Sequence, residues 1–173
     1  FILVAFSMGL RIGETLNLKV GDIDAERMKV HIRQGKGKKD RFVILPKRAL
    51  LALRQYWCSH RHPSLLFPAG KSAADRHGAD KIMDRGGLQK SFKVILAHCG
   101  IHKSATPHTL RHCYGAHLVE CGLNLRAIQH EIGHECPKTT ALYTQLTEVT
   151  QPDTGNLINR MVNRLNVAPD GET

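Results

Sequence analysis

The sequence predicts an α+β fold that is mostly helical and carries one small antiparallel sheet. Two observations support this prediction. Apolar residues recur at helical spacing in segments along most of the 173-residue chain. Between these segments, two short alternating runs at 28–33 and 41–45 flank a turn rich in glycine and lysine. Such a pattern is typical of a β-hairpin.

The predicted helices follow one another in chain order. Residues 1–9 indicate a buried helix that ends at Gly9, and a second short helix follows it. Further helices are predicted over 47–57, 88–98, 106–121 and 124–132, from Pro137 onward, and over 157–165. Residues 58–82 are rich in His, Pro, Gly and Ser and are predicted to form a surface loop, and QPDTGN is predicted to be a polar linker.

Composition favours a polyanionic partner. The chain has 25 Lys and Arg against 15 Asp and Glu, a formal net charge of +10. Lys and Arg neutralise phosphates and release counterions, although an ordinary solvated basic surface is the alternative. The five cysteines show no disulfide-like spacing and favour a reducing, cytoplasmic compartment. No apolar run reaches the roughly 18 residues of a membrane helix, so no membrane partner is predicted.

Six residues together supply the groups that hold and attack a phosphodiester. They are Arg11, Lys36, His108, Arg111, His134 and Tyr143. A guanidinium is planar, always charged and able to bind two phosphate oxygens. A lysine at a flexible hairpin tip can protonate a leaving alkoxide. A phenol becomes a covalent nucleophile when a neighbouring group assists its deprotonation.

Each of these residues also has an ordinary structural explanation. Arg11 could form an ion pair with Glu14, three residues on. Lys36 shares its turn with Lys38 and Lys39, and Tyr143 alone could be a core aromatic. A zinc site is conceivable at two clusters, which are Cys58, His60 and His62, and His130, His134 and Cys136. Neither cluster has the paired Cys-x-x-Cys spacing of a structural site, so no metal is predicted.

The chain resembles the catalytic domain of the tyrosine recombinases, the phage-integrase-type site-specific recombinases. The resemblance rests on GLRIGETLNLKVGDID, GKGKKDRFVILP, HTLRHCYGAHLVECGLNLRAIQHEIGH and TTALYTQ, which cover most of residues 3–146. It implies that the scissile phosphate is held by four residues, Arg11, His108, Arg111 and His134. It also implies that Lys36 is the general acid for the 5′-oxygen, that Tyr143 forms a 3′-phosphotyrosyl link, and that Glu14 supports the pocket.

The resemblance implies a wider organisation as well. Residues 1–150 are expected to form the catalytic domain, and 151–173 a linker with a C-terminal helix that is exchanged between protomers. An N-terminal DNA-clamping domain is expected to be absent from this fragment. Double-stranded DNA is the expected partner, contacted by Lys38, Lys39 and Arg41, and the full-length protein is expected to form a tetramer on it. The reaction needs no cofactor, and the expected location is the bacterial cytoplasm, at the nucleoid.

Three other functions stay open at this point. A type IB topoisomerase has a similar pocket but relaxes supercoils as a monomer. A non-catalytic DNA-binding module would use only the basic surface. A zinc-binding interaction domain would use the histidines and cysteines.

Overall fold

The structure, a computed structural model, describes residues 1–33, 40–133 and 154–164. Its helices are α1 Ile2–Ser7, α2 Ile12–Leu16, α3 Lys47–Cys58, α4 Ala73–His77, α5 Arg85–His98, α6 Pro107–Glu120, α7 Leu125–Ile132 and α8 Thr154–Asn163. The mostly helical α+β prediction is therefore confirmed. Within the described ranges, no helix is both long and apolar enough to cross a membrane.

The sheet is small and antiparallel, with strand order β1-β2-β3. The strands are β1 Ile23–Asp24, β2 Lys29–Ile32 and β3 Arg41–Ile44, and the pairing places Val30 opposite Val43. Alternate side chains of β2 point into the core, as the hydrophobic alternation predicts. The two strands of the hairpin are confirmed, while β1 was not predicted because two residues carry no periodicity. The hairpin turn, 34–39, lies outside the described residues.

The core has two parts that meet at α1. One part packs the sheet against α2 and α3, and includes Leu16, Val30 and Leu53. The other packs α6, α7 and α8 together, and includes Leu118 and Ile132. Helix α1 contributes apolar side chains to both parts, so it holds the sheet and the helical half in one arrangement.

The segment 58–82 is more ordered and more buried than the predicted surface loop. Leu66 and Phe67 are buried in the core, and the Leu66 N–H donates to the Leu18 carbonyl at 3.1 Å. His62 is buried, and its Nδ1 accepts the N–H groups of two following residues. The polar composition was misleading because His62 satisfies backbone groups of the loop from inside.

Helix α8 begins at Thr154, so the last three residues of the predicted linker are helical. Its apolar face packs on its own chain, where Ile158, Met161 and Val162 are buried in the second part of the core. Arg48 of α3 donates to the carbonyl of Val162 at 3.4 Å. The helix predicted from Pro137 lies outside the described residues.

The contact between α1 and α6 depends on a glycine. Gly9 has φ +58, a left-handed conformation that side chains with a Cβ rarely adopt. A Cβ at Gly9 would lie 2.3 Å from Cδ1 of Tyr114, which is a buried residue of α6. The Gly9 carbonyl also accepts a hydrogen bond from Arg111 Nη1 at 2.8 Å. The turn after α1 therefore needs both the conformation and the small size of glycine.

Gly9→Ala is expected to lower the free energy of unfolding by about 2–4 kcal/mol, because strain at positive φ adds to overpacking against Tyr114. Gly13→Ala is the matched control, since Gly13 lies in α2 and, among the described residues beyond its chain neighbours and its own helix backbone, no atom lies within 4 Å of its Cβ position. Alanine at position 13 is expected to raise the free energy of unfolding slightly, by at most about 1 kcal/mol. Denaturant unfolding of both variants measures the difference, and equal stabilities would contradict the role given to Gly9.

Candidate active site

The site is built around the first turn of α2. Arg11 precedes the helix with extended backbone (φ −69, ψ 150), and Glu14 is the third helical residue. The Glu14 carboxylate accepts the Arg11 backbone N–H at 2.9 Å, which satisfies one of the unpaired donors of the helix start. Arg11 Nη1 also donates to Glu14 Oε1 at 2.7 Å. The alternative ion pair is therefore formed, and it leaves part of the Arg11 side chain facing the groove described below.

Glu14 is the shared anion of three arginines. Arg41 donates to both of its carboxylate oxygens, each at 2.9 Å, and Arg111 Nη1 lies 3.9 Å from Oε2. Burial alone would raise the pKa of this carboxyl, but hydrogen bonds from Arg41 and Arg11 outweigh burial and lower the pKa to about 2. Glu14 is therefore ionised throughout the physiological range.

Arg111 lies beneath this pair and is almost fully buried, with 2% of its surface exposed. Nη1 donates to the Gly9 carbonyl at 2.8 Å, and Nη2 donates to the Ile132 carbonyl. Burial and the positive charge of Arg11 lower the pKa of Arg111 to about 9, so it stays protonated at neutral pH. Its Nε has no hydrogen-bond partner within the described part of the chain.

His108 lies in the first turn of α6, where Pro107 begins the helix. The imidazole is exposed and packs edge-on against His112, with 4.8 Å between ring centroids. Although the residue is largely exposed, partial desolvation of the ring, together with the charges of His112, Arg111 and Arg11, lowers the pKa of His108. Its imidazole is therefore neutral near pH 7 and can exchange a proton.

A groove of about 880 Å³ runs past these residues. Its charged lining residues are the cations Arg11, Lys19, Arg33 and Arg85 and the carboxylates Glu14 and Asp22. Both carboxylates are bound by arginines, since Asp22 accepts from Arg33 at 2.6 Å. His31, Gln89 and His108 also line the groove. An excess of cations in a concave surface suits an anionic ligand.

The end of α7 is tied to the same cluster. Gly133 ends that helix in the left-handed conformation, and its carbonyl accepts from Arg11 Nη2 at 3.3 Å. The Asn124 side chain caps the start of the helix by accepting from Ala127 N. His134 and Tyr143 themselves lie outside the described residues. The structure thus places Gly133, the residue before His134, in contact with Arg11.

The hairpin residues divide into two groups. Lys36, Lys38 and Lys39 lie outside the described residues. Arg41 is described, and its side chain is 12% exposed and turned towards Glu14. Arg41 was expected to contact DNA, and in the structure both of its terminal nitrogens bind Glu14 instead.

Two of the three tyrosines are packed into the protein. Tyr114 is 1% exposed, and burial together with the nearby Glu131 charge raises its pKa far above the usual value for a phenol. Burial also raises the pKa of Tyr56. A buried phenol with a raised pKa is a poor nucleophile. Neither residue competes with Tyr143 for that role.

No group of three or more His, Cys, Asp or Glu side chains that could hold a metal ion occurs in the described ranges. His62 uses both ring nitrogens for backbone groups, because Nε2 lies 2.9 Å from the Ala79 carbonyl oxygen. Cys58 is exposed while His60 is buried. The first zinc cluster considered above is therefore not assembled, and the second one lies partly outside the described residues.

Sequence reasoning missed most of the polar groove residues, among them Lys19, Arg33, Arg85 and Gln89. Arg85 and Gln89 are four apart in α5 and therefore share a helix face, which the spacing could have indicated. Which face of α5 borders the groove depends on how α5 packs against α2, and no local pattern carries that information.

The family model described as the phage integrase family matches residues 1–149. The tyrosine recombinase XerD of Listeria innocua is 35% identical over 153 residues, an alignment that covers 87% of this chain and 50% of that protein. The chain thus spans about half the length of the curated relatives it matches.

Solved structures give the same fold. The XerA recombinase structure has a TM-score of 0.67 at 28% identity, covering 95% of this chain and 55% of that one. The XerH site-specific recombinase, solved bound to its difH substrate, has a TM-score of 0.69 at 25% identity, covering 83% of this chain and 41% of that one. The chain therefore belongs to the phage integrase family and has the fold of a tyrosine recombinase catalytic domain.

Proposed function

We propose that this chain is the catalytic part of a site-specific recombinase that breaks and rejoins strands of double-stranded DNA through a 3′-phosphotyrosyl intermediate. The observation that carries the proposal is that Arg11 and His108 line one basic groove, with the charge of the buried Arg111 acting on both of them. The carbonyl of Gly133, next to His134, binds Arg11 at the same place. The chemistry of these groups fits a phosphodiester, and the family membership fits recombination.

The proposed contacts to the phosphate are made by N–H groups of Arg11 that are not used by other groups of the site. Arg11 lines the groove and presents the N–H groups that Glu14 and Gly133 do not use. Arg111 adds its positive charge from below, and its Nε–H is buried without a partner among the described residues. Preorganised cations of this kind stabilise the charge that develops on a pentavalent phosphorus without a metal ion. No cofactor is needed for this chemistry.

The strand-transfer step conserves one phosphodiester bond. The Tyr143 hydroxyl passes its proton to the neutral His108 imidazole as its oxygen attacks phosphorus and forms the phosphotyrosyl bond, while the bond from phosphorus to the 5′-oxygen breaks. Lys36 donates a proton to that 5′-oxygen, and His108 and His134 hold the phosphate. In the reverse step a 5′-hydroxyl attacks phosphorus and releases Tyr143. Because the energy of the bond is retained, rejoining needs no ATP.

The whole assembly is part of the proposal. Lys19, Arg33 and Arg85 contact DNA phosphates along the groove, and Lys38 and Lys39 extend this surface from the hairpin. The full-length protein forms a tetramer on paired sites in the bacterial cytoplasm, at the nucleoid. Helix α8, which packs here on its own chain, moves to a neighbouring protomer in that assembly. The XerH structure bound to its substrate supports the DNA partner.

Tyr143→Phe is expected to leave DNA binding nearly unchanged and to abolish the covalent complex, because phenylalanine has no oxygen to bond to phosphorus. A nicked suicide substrate that carries a candidate site traps the complex, which is then measured by denaturing electrophoresis. Tyr56→Phe is the matched control and is expected to retain covalent trapping, since the Tyr56 hydroxyl is buried. A detergent-resistant adduct from Tyr143→Phe would identify another nucleophile.

Arg11→Ala is expected to slow cleavage by about 10²-fold or more, with a much smaller loss in DNA affinity, because its charge matters most as the transition state develops. Single-turnover cleavage and a binding titration separate the two effects. Arg27→Ala is the control, since Arg27 is 81% exposed and does not line the groove. Equal losses in binding and cleavage for Arg11→Ala would indicate an ordinary phosphate contact.

Lys36→Ala is expected to slow cleavage of ordinary DNA and to be rescued on a substrate with sulfur at the 5′-bridging position. A thiolate leaves with little protonation, so the general acid becomes dispensable. Lys38→Ala and Lys39→Ala serve as controls from the same turn and are expected to show no rescue. If one of these controls is rescued and Lys36→Ala is not, the general acid is a different lysine.

A further inference from the structure

Arg41 opens β3 immediately after the hairpin turn, yet its guanidinium lies in the interior of the site. Nη1 donates to Glu14 Oε1 and Nη2 to Glu14 Oε2, each at 2.9 Å, in the paired geometry that suits a guanidinium and a carboxylate. The Arg41 side chain is 12% exposed and that of Glu14 is 8% exposed. A pair that is so little exposed is screened less by salt than a surface ion pair.

Glu14 has its full complement of hydrogen bonds. A carboxylate offers about four lone-pair sites. Two of them are taken by Arg41, one by the Arg11 backbone N–H, and one by Arg11 Nη1. Arg111, at 3.9 Å, contributes only an ionic contact. Glu14 therefore has no capacity to take up the remaining N–H groups of Arg11, and these stay available for an anion in the groove.

Arg41 also packs against the turn that ends α7. Gly133 has φ +66, and a Cβ at that position would lie 2.9 Å from Arg41 Nε and 3.1 Å from Cζ. The guanidinium thus lies directly against the Gly133 backbone, whose carbonyl accepts from Arg11 Nη2. Arg41 consequently joins the strand after the hairpin, the first turn of α2 and the end of α7.

We propose that Arg41 is a positioning residue that saturates and fixes the Glu14 carboxylate, so that Arg11 keeps its free donors directed at the scissile phosphate. The proposal deepens the recombinase function proposed above and rests on it for the identity of the anion. It assigns Arg41 to the interior of the site and not to the DNA-contacting surface. Arg41 acts through Glu14 and Arg11 and does not itself touch the reacting atoms.

The first test is a titration of Glu14 that needs neither DNA nor activity. The Glu14 side-chain carboxyl is followed by carbon NMR against pH in the full chain and in Arg41→Met. Its pKa is about 2 in the wild type, and hydrogen bonding to Arg41 is the strongest influence that lowers it. Without Arg41, burial raises the pKa, so Arg41→Met is expected to titrate at a clearly higher pH. An unchanged Glu14 titration would overturn the proposal.

The second test separates positioning from DNA contact. A phosphate contact contributes about −0.9 to the slope of log affinity against log salt concentration. Arg41→Met is expected to keep the wild-type slope, and loss of about one unit would overturn the proposal. Arg33→Met is the matched comparison. Arg33 lies on the other side of the same hairpin turn, its side chain is 56% exposed, and it lines the groove. That variant is expected to lose slope and to leave the Glu14 titration unchanged.

The third test is the pH profile of single-turnover cleavage. At pH 7.5 Arg41→Met is expected to be about 10- to 100-fold slower than wild type, because Arg11 is misplaced. Below the raised Glu14 pKa its rate falls about tenfold further per pH unit, as Glu14 takes up a proton and loses its charge. The wild type, whose Glu14 ionises near pH 2, lacks this acid limb. A rate loss with an unchanged pH profile would show a merely structural role.

Failure of the recombinase proposal and failure of the Arg41 proposal give different results in these tests. If wild-type protein never forms a covalent complex with DNA, the recombinase proposal fails, while the Glu14 titration still decides the role of Arg41. If Arg41→Met does not fold, Arg41→Lys decides, since lysine keeps the charge but cannot bind both carboxylate oxygens. A Glu14 pKa in Arg41→Lys above that of the wild type supports the proposal, and an equal value overturns it.

Discussion

The buried carboxylate of Glu14 is the constraint on which the site depends. Three guanidinium groups placed close together repel one another, and burial, followed by the charges of Arg11 and Arg41, lowers the pKa of Arg111. Glu14 offsets part of the positive charge from the centre of the group. Because the carboxylate lies in the first turn of α2, that turn holds the guanidinium groups of Arg11 and Arg41 by hydrogen bonds and lies beside the charge of Arg111.

A second constraint joins this cluster to the fold. Arg111 donates to the carbonyl of Gly9, two residues after α1, and to the carbonyl of Ile132, the last helical residue of α7. Carbonyls at or just beyond the end of a helix have no partner within that helix and need one when they are buried. Arg111 thus completes two helix ends with the same side chain that supplies positive charge to the site. Structural support and electrostatic function coincide in one residue, so removing it would disturb both.

Much of the fold was predictable because its elements are locally encoded. Helix α3 shows apolar spacing, α6 has clear ends at Pro107 and before Gly122, and the hairpin strands alternate as strands do. The errors fall where local pattern is weak or misleading. Strand β1 is too short to show a period, and the polar composition of the 58–82 segment gives no sign that His60 and His62 are buried. Thr154 opens α8 although its neighbours are typical of a linker.

The sequence by itself determined the family, the set of chemical groups and their order along the chain. All three can be read from motifs and their spacing without knowledge of the fold. The tertiary structure decided which of the cations face the groove and which face inward. Arg41 and Arg85 are both basic residues next to turns, yet one binds a buried carboxylate and the other lines the groove. The physical reason is that side-chain direction depends on packing between elements distant in sequence, here β3 against α2 and α7, which no local pattern records.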